Sequence, residues 1–104
     1  MEPINLDKIA FQITLHGGNS KDLAYDALKA AKEGDFDKAE NLLEEADKEF
    51  NEGHKVHSKA LRSDDKENRI VPTLLLLHAK DHLMAARSEI TLIKELIELH
   101  KKID

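Results

Sequence analysis

Four consecutive leucines, Leu74 to Leu77, constrain this chain more than any other feature. They sit in a segment with helical spacing, and at about 100° per residue four neighbours sweep roughly 300° of a helix circumference. A helix that is apolar nearly all round must be covered nearly all round. The 104 residues leave room for one small core, so two further helices of the same chain cover only part of that surface. The same helix from neighbouring copies is the natural completion, and the sequence predicts an obligate helical oligomer.

Composition points the same way. Three Phe, one Tyr and no Trp leave an aliphatic core of Leu, Ile and Ala, which favours helix. Four Gly and two Pro are too few for the turns of a sandwich or barrel, so the expected class is all-α, with residues 1–104 forming a single domain. Twenty-one acidic against sixteen basic residues give a net charge of −5, which repels a polyanion and speaks against nucleic acid as a partner. Without cysteine there is no disulfide, thiolate metal site or thiol nucleophile. Met1-Glu2-Pro3-Ile4-Asn5 lacks the basic and apolar regions of a signal peptide. No stretch approaches the roughly 20 apolar residues of a membrane span. The expectation is a cytoplasmic protein with no direct membrane insertion.

Three helical segments are predicted. The first runs from about Leu6 to Lys32, with Ile9, Ile13, Leu23, Ala27, Leu28 and Ala31 at helical spacing. Gly17-Gly18-Asn19 interrupts it, and two interior glycines cost on the order of 2 kcal/mol, so a kink or break is expected there, with Ser20 as a new N-cap. Gly34 and Asp35 read as a C′ glycine and the next N-cap, closing a tight antiparallel hairpin. The second segment, about Asp35 to Leu61, carries a stripe of Phe36, Ala39, Leu42, Leu43, Ala46, Phe50 and His54. Arg62 to Arg69 contains no apolar residue and reads as a connector. The third segment, about Val71 to Lys101, begins near Pro72, a residue suited to a first helical turn.

Inside the third segment stands His78-Ala79-Lys80-Asp81-His82-Leu83-Met84. Taking His78 as zero, Asp81 falls at about 300° and His82 at about 40°, so the three share an arc of roughly 100° that also contains Leu74, Leu92 and Leu96. A lone histidine on an apolar face is ordinarily a satisfied core residue. Two histidines and an aspartate together point to chemistry. Imidazole is neutral and nucleophilic near pH 7 and forms an N–P bond labile enough to pass a phosphoryl group onward. The i, i+3, i+4 spacing equally suits metal ligands, and spacing alone does not separate the two.

The remaining histidines carry less. His54 and His57 lie at i, i+3 on the second segment, flanking the cluster or simply exposed. His16, beside Gly17, reads as a helix-end residue, and His100 as a partner of the helix dipole. No P-loop, dinucleotide-binding glycine pattern, nucleophile elbow, zinc-protease motif or internal repeat occurs.

The chain resembles the enzyme IIA component of the lactose/cellobiose (diacetylchitobiose) branch of the bacterial phosphoenolpyruvate-dependent sugar phosphotransferase system. The resemblance covers nearly the whole chain. It rests on His78-Ala79-Lys80-Asp81-His82-Leu83-Met84 with Leu96-Ile97-Glu98-Leu99, on Ala27 to Phe36 with Ala39, and on Glu52-Gly53-His54. It implies a three-helix, antiparallel up-down-up subunit assembling into a trimeric nine-helix bundle. It implies that His78 takes a phosphoryl group from phospho-HPr and gives it to a cysteine of the cognate IIB protein. It further implies that three copies of Asp81 meet at the trimer axis around a divalent ion, Mg²⁺ in expectation, and that His82 supports the site. Where the family usually has Gln, this chain has Lys80 and His57. Lys80 lies about 200° from His78 and reads as accessory.

The resulting reading is a phosphohistidine carrier in sugar uptake, serving a IIC transporter indirectly and a β-linked disaccharide or oligosaccharide that the sequence does not name. The alternative is a non-catalytic helical module binding metal or a partner helix through His78, Asp81 and His82. Third stands a histidine phosphotransfer domain of two-component signalling, disfavoured because the resemblance runs through all three segments.

Overall fold

The structure, a computed structural model, describes residues 6–62 and 74–103. Three helices follow in order: α1, Leu6–Lys32; α2, Phe36–Arg62; α3, Leu74–Ile103. Among the described residues there is no strand, as the composition predicts. The bundle is long and thin, 58 × 21 × 17 Å. The predicted Pro72 start and the connector 63–69 lie outside the described residues; Arg62 belongs to α2. α3 continues two residues past the expected Lys101.

The α1–α2 hairpin forms where the sequence places it. Asp35 N–H donates to the Ala30 carbonyl at 2.9 Å and Gly34 N–H to the Ala31 carbonyl at 3.0 Å, which closes the end of α1. That closure needs a left-handed residue, and Gly34 has φ 83°. The Asp35 carboxylate then accepts from Lys38 N–H at 3.2 Å, capping α2.

The expected break at Gly17-Gly18-Asn19 does not occur: α1 is helical from end to end. Ser20 is no N-cap; it is fully buried and donates its hydroxyl to the Gly17 carbonyl at 2.8 Å. Gly17 is itself buried, 3.6 Å from the Leu83 Cα at the position a Cβ would take. Packing on both sides holds the turn in helical geometry, and a propensity deficit of about 2 kcal/mol is small against tertiary burial.

The core has two layers. Toward one end Ala24, Ala27, Ala31, Ala39 and Ala46 meet Ile90, Ile93 and Ile97; toward the other Ala10 and Ile13 meet Leu76, Ala79 and Leu83. Pairing of low α1 numbers with low α3 numbers means that these helices run parallel, with α2 antiparallel to both. This is the predicted up-down-up order.

Candidate functional site

One face of α3 enters the core through Leu76, Ala79, Leu83, Ala86, Ile90, Ile93 and Ile97. The opposite face carries Leu74, Leu77, Leu92, Leu96, Leu99 and Ile103, all exposed, Leu74 at 85%. His78, Asp81 and His82 belong to this outward side and are exposed in the single chain. Of the four leucines, the chain buries only Leu76, so the two other helices leave most of that run uncovered.

His78 and His82 come together. Their Nε2 atoms are 3.0 Å apart, with the rings edge to face at 4.4 Å between centroids. One nitrogen donates and the other accepts, so the contact keeps a lone pair on at least one ring. No hydrogen bond joins Asp81 to either ring among the described residues.

Close helix approach fixes the turn that bears them. Leu83, next to His82, is completely buried and wedged beside two glycines. A Cβ on Gly53 of α2 would lie 3.1 Å from Leu83 Cδ1 and 3.0 Å from His16 Cβ, whereas one on Gly18 would meet nothing within 4 Å. Gly18→Ala is therefore expected to raise stability by about 1 kcal/mol through helix propensity alone. Gly53→Ala is expected to fall about 1–3 kcal/mol below it by overpacking. Urea unfolding of the two variants reads the difference, and equal midpoints would contradict the tight packing at Gly53.

His16 is not the helix-end residue the sequence suggests. It lies mid-helix and half-buried, with Nδ1 2.8 Å from Glu49 Oε2. Beyond the site on α1's flank, the Tyr25 hydroxyl donates to Glu89 at 3.1 Å, which raises the Tyr25 pKa. His54 is exposed on α2, its ring stacked on Phe50 at 6.3 Å, and half-buried His57 follows one turn on. Burial, then the Lys80 charge, then His54 lower the His57 pKa. The Lys80 charge thus acts on a residue of α2, a relation that the spacing within α3 does not reveal.

A depressed histidine pKa means that the fold prefers the neutral ring. The corresponding stability is present above the ordinary imidazole value and is lost as pH falls through the lowered one. His57→Gln should therefore shrink the drop in Tm between about pH 7 and about pH 5. An unchanged drop in calorimetry would show that His57 contributes nothing to it.

Among the described residues of one chain no three His, Asp or Glu side chains are grouped to hold an ion. Asp81 offers one exposed carboxylate per copy, so a complete oxygen set requires further copies.

The model of the phosphotransferase system lactose/cellobiose-specific IIA subunit family matches residues 8–101. The chain belongs to this family. It is 38% identical over 102 residues to the N,N'-diacetylchitobiose-specific EIIA component of Escherichia coli, covering 98% of this chain and 88% of that protein. It is 38% identical over 98 residues to the lichenan-specific phosphotransferase enzyme IIA component of Bacillus subtilis, covering 94% and 89%. Its fold matches IIA(chitobiose) in the solution structures of the IIA(chitobiose)–HPr complex with a TM-score of 0.87 at 36% identity, over 96% of this chain and 97% of that one. The cellobiose-specific enzyme IIA of Bacillus anthracis superposes with a TM-score of 0.87 at 32% identity, over 98% and 94%. The chain is thus a phosphotransferase system component, a phosphoryl carrier, and no described helix is long and apolar enough to cross a membrane.

Proposed function

We propose that His78 accepts a phosphoryl group from phospho-HPr and hands it to a cysteine of a cognate IIB protein. The uptake and phosphorylation of a β-linked disaccharide or oligosaccharide through a IIC transporter would follow. The observation that carries this reading is the exposed His78–His82 pair on a IIA-type chain. A ring nitrogen of His78 attacks phosphorus as the bond to the donor atom breaks, and exposure on α3 leaves room for a partner to approach in line. His82 orients the His78 ring through the 3.0 Å contact and is a supporting residue. A relative with the same fold is solved in complex with HPr, which supports HPr as the donor here.

The assembly belongs to the same proposal. Three copies of the single domain 1–104 pack their outward α3 stripes about one axis as a nine-helix bundle in the cytoplasm, bringing three Asp81 carboxylates together. A divalent ion such as Mg²⁺ held by these oxygens would neutralise their mutual repulsion. The non-catalytic alternative is not favoured, because the chain belongs to a family of phosphotransferase system components. Incubation with phosphoenolpyruvate, enzyme I and HPr, followed by intact mass and site mapping, tests the proposal. The expected result is one acid-labile phosphoryl group per chain, on His78; none, or one on another residue, refutes it.

A further inference from the structure

α2 and α3 part along one stretch of their seam, and a groove of about 380 Å³ opens there. Its α2 wall steps from Asp47 to His54 and its α3 wall from Arg87 to Lys94, each along one helix face. The volume suits one small ligand.

The charges on the two walls do not balance. Lys94 donates to both Asp47 oxygens at 3.0 and 2.9 Å, so this pair cancels within the groove. Arg87 is the charge left over. With Asp47 committed to Lys94, the Arg87 guanidinium has no ion-pair or hydrogen-bond partner among the described residues. The Asn51 amide and the His54 ring line the same groove, again without a hydrogen-bond partner among the described residues. Apolar surface lies beside these donors: Phe50 lines the groove with its ring stacked on that of His54, 6.3 Å between centroids, and Ile90 stands opposite on α3.

A surplus guanidinium, an amide and an imidazole beside an aromatic face fit an oxyanion carried on a compact ring. The planar arginine fork donates to two phosphoryl oxygens at once, and the aromatic face takes the C–H side of a sugar. We propose that the α2–α3 groove binds a phosphorylated sugar, with its phosphate on Arg87 and Asn51 and its ring against Phe50 and His54.

This site is separate from the phosphoryl-accepting histidine. Arg87 lies nine residues beyond His78, about 13 Å along α3, and about 180° around it. It also lies about 130° from the exposed stripe of Leu74, Asp81, Leu92 and Leu99. A phosphorylated sugar is what the proposed uptake reaction releases, so the groove would let the carrier sense its own product. The choice of sugar phosphate rests on that reading; the surplus cation does not.

Calorimetric titration of the full-length protein with glucose 6-phosphate, inorganic phosphate and glucose tests this, with no phosphoryl donor present. Glucose 6-phosphate should bind at least about tenfold more tightly than either of the others. Arg87→Gln should weaken it at least about tenfold, and Arg87→Lys, which keeps the charge without the fork, by less. Arg87→Gln should keep wild-type helical circular dichroism and accept phosphoryl groups from phospho-HPr at the wild-type rate. Amide resonances of Asn51, His54 and Arg87 should shift as glucose 6-phosphate is added. Equal affinity for inorganic phosphate and glucose 6-phosphate, undiminished binding to Arg87→Gln, or shifts centred on His78 and His82 overturns the proposal. Absence of label on His78 in the transfer assay overturns instead the reading beneath it.

Discussion

His78→Ala is expected to lose phosphoryl acceptance from phospho-HPr altogether, on the order of 10⁴-fold or more, the scale at which removal of a covalent nucleophile shows. The loss should come without unfolding, because His78 is exposed and, among the described residues, its ring hydrogen-bonds His82 and no buried group. Helical circular dichroism should be unchanged. His82→Ala is the informative contrast. It removes the ring that holds His78 in place but leaves the attacking atom, so a fall of about 10²-fold with label still on His78 is expected. The two rings face each other at 3.0 Å, so geometry alone allows either to attack. Site mapping decides between them: acid-labile, base-stable phosphate on His82, or normal uptake by His78→Ala, would reverse the roles.

Local signals in the sequence were legible because local chemistry sets them. Gly34 supplies the left-handed turn and Asp35 the next cap through bonds spanning at most five residues. The His78–His82 contact is likewise an i, i+4 relation within one helix, readable from spacing. What failed depended on other helices. Gly17 and Gly18 look like a break, yet Leu83, more than sixty residues later, packs against Gly17 and keeps the helix whole. His16 looks like an end residue because nothing near it in sequence reveals Glu49. Lys80 reads as accessory, and nothing within α3 reveals that its charge acts on His57 of α2. The excess of apolar surface on α3 was legible, since counting directions around one helix needs no partner.

That excess makes Asp81 the position with the largest expected effect on assembly. Leu74, Leu77, Leu92, Leu96, Leu99 and Ile103 remain 44–85% exposed in the single chain, on the side of α3 away from the core. Covering them, at about 1 kcal/mol each for partly exposed side chains, offers on the order of 6 kcal/mol per copy. Asp81 lies within this stripe, where a carboxylate leaving water needs a counter-charge, and none of the described side chains gives it one. Three copies about an axis would bring three such charges together. Asp81→Leu is then expected to hold the trimer without any divalent ion, since it exchanges mutual repulsion for apolar contact. The wild type should loosen when chelator removes the ion. Asp81→Lys should dissociate at micromolar concentration, because three ammonium groups would repel where no cation could bridge them. Sedimentation of the three proteins with and without chelator reads all of this at once. A lysine variant that stays as trimeric as the wild type would place Asp81 away from the axis and leave the apolar stripe to close around some other residue.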